Sequence, residues 1–260
     1  GSAWSPSFLV YCVLLIVPLL CRLLYSSVVA LVVAVAVGLC SAIYLSEYAG
    51  PKLRTFAKPL LEILAGIPTI VYGLFALLTV GPFLVDVFGA GGILSGEAVR
   101  DGDPLMSGAT AVITAGLVMG IMLIPFVSSL SDDIINAVPQ SLRDGSYGLG
   151  ATPSETIRNV VLPAALPGIV GAILLAASRA IGETMIVVLG AGAIARISGN
   201  PFEAMTTITT RIVSQLTGDT DFASPETLVA FALGLTLFVL TLGLNVIALY
   251  IVRKYREQYE

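Results

Sequence analysis

Apolar residues run along this chain in blocks of about twenty, the length an α-helix needs to cross a hydrocarbon core of about 30 Å. Five blocks stand out, near residues 26–46, 60–80, 109–130, 165–190 and 228–252. A sixth apolar stretch, Phe8 to Leu24, runs into the first of them with almost no polar break. At about 1.5 Å per residue, one helix from Phe8 to Leu45 is far too long for a bilayer, so a turn is expected between Pro18 and Ser27. The expected fold is all-α, a polytopic bundle of five transmembrane helices and a sixth. Residues 1–25 form an amino-terminal apolar segment and residues 26–260 a single membrane domain, without internal repeats. Gly1-Ser2 reads as an artificial junction, so the natural amino terminus is expected upstream.

Composition agrees with lipid as the solvent: 57% of the 260 residues are hydrophobic and 12% charged, against about 25% charged in soluble domains. The formal charge of −4 is spread over loops, and no basic run tracks a phosphate backbone, which excludes nucleic acid as a partner. Histidine is absent, which removes the usual acid/base group at neutral pH and the commonest metal ligand. Cys12, Cys21 and Cys40 lie in apolar runs without metal-ligand spacing and read as small hydrophobes. No cofactor is expected. The loops at 47–59 and 131–163 and the tail carry Lys52, Arg54, Lys58, Arg143, Arg158, Arg253, Lys254 and Arg256, whereas the remaining loops carry Arg100, Arg196 and Arg211. Positive residues favour the cytoplasm, so the first set and the carboxyl terminus are expected inside. Glu47 and Glu62, beside Lys52, Arg54 and Lys58, are expected to serve as interfacial anchors.

Residues 131–163 are too polar to span and too well patterned for a slack connection. A short helix is expected from about Pro139 to Gly150, a residue type suited to the left-handed position beyond a helix end. A second should open with Thr152 as N-cap, Pro153 in the first turn and Glu155 completing a capping box. It turns Ile157, Val160 and Val161 to one face, and Pro163 is expected to stop it. A compact helix–turn–helix thus projects from the membrane.

The run Asp144-Gly145-Ser146, three residues, Gly150, nine residues, then Val160-Val161-Leu162-Pro163 resembles the EAA loop of ATP-binding-cassette import permeases, in which E-A-A, G and I-x-L-P stand at the same offsets. Asp144 replaces the glutamate, Gly145-Ser146 the two alanines and Val160 the isoleucine. An ordinary capped loop does not fix the long offset to Leu162-Pro163. Ala42 to Ala49, Glu62 to Thr69 and Ser178 to Met185 further resemble phosphate-specific transport permeases of the PstC type. The resemblance covers the chain from about Ser26 to Glu260 and departs at the amino end, where the family carries a polar extramembrane stretch. It implies the type I importer permease fold in a bacterial inner membrane, with a cytoplasmic coupling helix. Asp144, Gly145, Gly150, Ala151, Thr152, Glu155, Leu162 and Pro163 would then engage an ATPase subunit. The implied partners are a sister permease of the PstA type, an ATPase dimer of the PstB type, an extracytoplasmic phosphate-binding protein of the PstS type, and phosphate itself.

Arg179 and Glu183 stand inside an apolar block, where an unpartnered charge costs at least about 2.5 kcal/mol. Four residues apart, they are expected to share a helix face and pair. Guanidinium presents a fork of donors suited to phosphate oxygens, so the pair reads as a gated anion contact, with a structural ion pair as the plain alternative. The resemblance implies a substrate path that includes Arg179, Glu183 and Thr184.

Lys52, Lys58 and Lys254 are the only lysines, and none lies in a G-x-x-x-x-G-K-[ST] loop, so hydrolysis must come from another polypeptide. Gly89-Ala90-Gly91-Gly92 is a loop without that following motif. A secondary transporter calls for inverted repeats and an intramembrane hydrolase for a G-x-S-x-G elbow or a histidine; the sequence contains none of these. Within the importer class, sulfate and molybdate are alternative oxyanions.

Overall fold

The computed structural model describes residues 6–89, 106–192, 200–217 and 225–256. In chain order the helices are α1 (Pro6–Ile43), α2 (Pro51–Ala65), α3 (Thr69–Phe75), α4 (Gly81–Phe88), α5 (Val112–Asn136), α6 (Gln140–Gly148), α7 (Pro153–Thr156), α8 (Leu162–Ile181), α9 (Met185–Gly190), α10 (Ile208–Leu216) and α11 (Pro225–Arg256). Three π turns, at Tyr44–Tyr48, Ala76–Val80 and Ile157–Val161, extend α1, join α3 to α4 and join α7 to α8. Among the described residues five helical stretches are long and apolar enough to cross a bilayer: Leu19–Tyr48, Thr69–Phe88, Val112–Asn136, Pro153–Ile181 and Thr227–Ile251.

Four expectations about these spans are corrected. The turn between Pro18 and Ser27 does not exist: α1 is continuous for 38 residues, so the sixth apolar stretch joins the first span. Ser26 and Ser27 both donate to the Leu23 carbonyl, at 3.0 and 2.7 Å, so their hydroxyls are satisfied inside the helix and require no break. The second span begins at Thr69 rather than near residue 60, because Gly66-Ile67-Pro68 closes α2. Pro68 lacks a donor and pushes Ile67 out of helical geometry. The segment before it is a separate amphipathic helix that exposes Leu53, Phe56, Leu60 and Ile63. Finally, Pro163 does not stop the helix after Thr152. The Leu162 N–H reaches back five residues to the Ile157 carbonyl, and this widened turn carries the chain past Pro163 into α8. The fourth span ends at Ile181, not near residue 190.

The contacts divide the chain into two compact units. In the unit made of residues 1–30, 68–119 and 180–241, α3 lies against α9. A Cβ at Gly73 would stand 2.8 Å from the Leu189 side chain and 2.9 Å from the Met185 carbonyl, a backbone approach only glycine permits. The first N–H groups of α5 have no helical acceptor, and later segments supply acceptors for three N–H groups at its start. Ala111 donates to the Gly190 carbonyl, Val112 to Glu203 and Ile113 to Pro201. Leu19, Ile208 and Leu233 form one apolar cluster, and Leu84, Met106 and Ala111 another. Arg22, 6% exposed, donates to the Thr206 carbonyl at 3.4 Å.

The second unit comprises residues 31–67, 120–179 and 242–260. Its core is Ala42, Ile135, Val138, Val161, Ala165 and Ile169, contributed by α1, the end of α5 and its exit, the π turn at 157–161 and α8. Ser41 and Ser128 share a hydroxyl hydrogen bond of 3.1 Å between α1 and α5. This core stands directly under the α6–α7 hairpin, because Val138 immediately precedes it and Val161 closely follows it. Cys21 and Cys40 are free thiols; Cys12 lies where no side chain is described.

Replacing Gly73 with valine should lower the thermal midpoint of the detergent-purified subunit, at a cost of about 1–3 kcal/mol for overpacking. Gly234→Val, at a position with nothing within 4 Å, should leave it unchanged in the same melting assay.

Candidate functional site

The α6–α7 hairpin forms because its ends close locally. Pro139 stands at the N-cap of α6. At the other end Ala151 donates to the Ser146 carbonyl and Gly150 to that of Tyr147, the pairing of a Schellman motif. Gly150 takes φ of +86°, a conformation in which any Cβ is strained. Thr152 then caps α7: its Oγ1 accepts from the Glu155 N–H at 3.4 Å, while Glu155 Oε2 accepts from the Thr152 N–H at 2.8 Å. The capping box expected at Thr152-Pro153-Ser154-Glu155 is therefore present. A hydroxyl bond of 2.9 Å between Ser146 and Thr156 ties the two arms.

Asp144, Gly145, Gly150, Thr152, Glu155 and Pro163 are exposed, Ala151 half-buried, and Leu162 packs against the core beneath. Asp144 accepts from Gln140 Nε2 at 3.0 Å, one turn along α6. Around them the hairpin shows a short apolar surface. Leu149 is 91% exposed at the tip, with Leu142 and Tyr147 about 40% exposed beside it. The left-handed turn at Gly150 holds this leucine out, and the space over Gly145, Gly148 and Gly150 is open.

The other side of α6 is fastened by charges. Arg143 Nη1 donates to both Glu47 oxygens, at 2.6 and 2.7 Å, and Nη2 to the Ile135 carbonyl at 2.9 Å. Their side chains are 13% and 9% exposed. Asp132, on the last turns of α5, is 4% exposed and accepts from Arg54, Lys58 and Asn136. Lys58 also pairs with Asp133 at 2.9 Å. The Asp133 hydrogen bond, opposed by desolvation and aided by Asp132, raises the Lys58 ammonium above its ordinary value, so it is charged at any physiological pH. Glu47, expected with Glu62 as an interfacial anchor, is instead paired with Arg143, and the neighbouring Arg54 and Lys58 pair with the acids at the end of α5. Sequence reasoning missed them because the partners lie 74 to 96 residues apart. The one available signal was the acid pair Asp132-Asp133 near the end of an otherwise apolar helix.

The Arg179–Glu183 pairing on a shared helix face is corrected as well. Helix α8 ends at Ile181, so Glu183 is no longer one turn along from Arg179. The Glu183 carboxylate accepts from the backbone N–H groups of Thr184 and Met185, both at 3.1 Å, at the start of α9, and is 8% exposed. Thr184 Oγ1 donates to the Gly182 carbonyl at 3.4 Å. Arg179 is exposed, with its guanidinium carbon 5.6 Å from the centre of the Phe126 ring, within cation–π range. None of the ion pairs among the described residues includes it. Its charge therefore stands open on a span-forming helix.

No group of residues that could hold a metal occurs among the described residues. Arg100 and Arg196, carried by the remaining loops, lie outside the described residues, as does most of the Gly89–Gly92 loop.

Known proteins resemble this chain in sequence and in fold. "Phosphate transport system permease protein PstC" of Mesorhizobium japonicum is 34% identical over 241 residues, covering 88% of this chain and 70% of the relative. "Phosphate transport system permease protein PstC 1" of Mycobacterium tuberculosis is 37% identical over 248 residues, 91% and 72% of the two chains. Among solved structures, a chain of the MetNI methionine ABC transporter in an inward-facing conformation superposes with a TM-score of 0.69 at 20% identity, covering 97% of this chain and 99% of that one. At that identity the likeness shows the fold, that of an ABC importer permease. Residues 34–257 match the family described as binding-protein-dependent transport system inner membrane component, and with five bilayer-length apolar helices the chain is a multi-pass membrane protein belonging to that family.

Proposed function

We propose that the chain is the permease subunit of an ATP-driven phosphate importer, forming half of the translocation path and coupled to a separate ATPase. One observation carries the coupling: a self-closed hairpin at the end of two spans holds Leu149 91% exposed, fit for a groove on another protein. The relatives named phosphate transport permeases, at 34–37% identity, support phosphate as the substrate. The partners on this reading are a sister permease, an ATPase dimer and an extracytoplasmic binding protein. The hairpin, the Lys- and Arg-rich loop at 47–59 and the carboxyl terminus face the cytoplasm, following the distribution of positive residues.

The ATPase contacts the hairpin through Leu149, Tyr147 and the open glycine face, with Asp144 and the capped Thr152–Glu155 turn at its edges. Leu162 and Pro163 continue it into α8, so movement of the hairpin reaches a membrane span without a flexible joint. Arg179 meets the anion. Its planar fork suits two phosphate oxygens. Glu183 and Thr184 shape the non-helical link that follows and hold the start of α9. Phosphate passing Arg179 therefore meets a charge with no carboxylate competitor among the described ion pairs.

Leu149→Glu places a charge at the centre of the proposed contact and should weaken ATPase attachment by about 2 kcal/mol, some thirtyfold in affinity. Co-purification of the ATPase with the tagged permease checks this, and undiminished recovery would discard the docking role. Arg179→Gln should leave the complex assembled and reduce uptake of labelled phosphate by proteoliposomes to background. Excess sulfate or molybdate should leave wild-type uptake unchanged, and competition by either would reassign the substrate.

A further inference from the structure

The hairpin has one free face and one fastened face, and the fastening is unusually specific. A carboxylate and a guanidinium that are both mostly out of water persist only with good geometry and satisfied remaining donors. Glu47 and Arg143 meet that condition. Arg143 Nη1 lies 2.6 and 2.7 Å from the two Glu47 oxygens, and Nη2 lies 2.9 Å from the Ile135 carbonyl. Ile135 is in the last turn of α5, where carbonyls lack helical donors. A single side chain on α6 thus holds the ends of two spans.

Where Glu47 sits matters as much as what it binds. It lies in the π turn Tyr44–Tyr48 that ends the first span; such turns interrupt the regular ladder and occur often at functional positions. The hairpin's other exit is the π turn Ile157–Val161. Between these two irregular turns, Ala42, Ile135, Val138, Val161, Ala165 and Ile169 form a continuous packed core, which resists compression. A push on the exposed face of α6 has two routes inward: the covalent one through α7 and α8, and the ionic one through Arg143. Arg143 reaches Glu47 and the Ile135 carbonyl, while its neighbour Asp144 is exposed.

We propose that the Arg143–Glu47 pair is the strut that carries displacement of the hairpin to the first membrane span, making both residues positioning residues for transport. This rests on the reading of the hairpin as the ATPase contact. An anchor that only held the fold would affect assembly. A strut affects how much substrate moves for each ATP consumed.

The experiment uses the complete importer in proteoliposomes, with both permeases, the ATPase pair and the binding protein, and measures labelled inorganic phosphate taken up and ATP hydrolysed in the same vesicles. Glu47→Gln and Arg143→Gln should each retain the ATPase on purification and keep at least about half the hydrolysis rate while phosphate moved per ATP falls by about tenfold. Arg143→Lys, which keeps the charge but loses the second donor arm, should fall between. The exchange Glu47→Arg with Arg143→Glu should regain a large part of the ratio. Wild-type ratios in both single variants would overturn the strut, as would uptake and hydrolysis falling together with loss of the ATPase, or an exchange no better than the single changes. A parallel Leu149→Glu preparation separates the two readings. If it keeps its ATPase and its ratio, the docking surface is wrong; if it loses them while the Glu47 and Arg143 variants behave as wild type, only the strut is wrong.

Discussion

Lipid offers a peptide group no hydrogen bond, and the membrane-spanning part of this chain answers to that constraint. Within a helix the answer is automatic. At helix ends it is not, and there the chain provides acceptors and donors one at a time. The first donors of α5 find the carbonyls of Gly190, Pro201 and Glu203. The last turn of α5 gives the Ile135 carbonyl to Arg143. The Glu183 carboxylate takes the N–H groups that open α9. Arg143 and Glu183 thus each satisfy backbone groups at a helix end, whereas Arg179 rests on the Phe126 ring.

This division of labour explains what could be read directly from the residues. The hairpin was legible because its determinants are local. Gly150, Thr152 and Glu155 lie within six positions of one another, and each has a conformational preference that acts on its neighbours. The five apolar blocks were legible by length. Their limits were not, because Pro18 and Pro163 pass through helices while Gly66-Ile67-Pro68 ends one, and the difference lies in whether surrounding turns absorb a missing donor. The ionic networks were illegible for another reason. Glu47 with Arg143, and Lys58 with Asp132, join residues far apart in sequence, and a lone charge near a span end carries no mark distinguishing a partner in protein from a partner in water.

The Arg179–Glu183 reading shows the limit of spacing as an argument. Four residues apart implies one face only while the helix lasts, and α8 ends at Ile181. Once the helix stops, the same two residues take opposite roles: Glu183 is drawn into backbone capping and Arg179 is left uncommitted. For a residue that contacts an anion the outcome is favourable. A guanidinium already held by a carboxylate must break that contact before binding phosphate, whereas one resting on an aromatic ring loses much less.

The self-closure of the hairpin has a consequence for how such a subunit diversifies. All of its turn-forming hydrogen bonds are made between residues 145 and 156, so its shape owes nothing to whatever protein lies against it. Side chains at the tip are free to vary without disturbing the backbone that presents them. Under the proposed docking role, the chemistry of the contact surface can change while the scaffold that displays it stays the same.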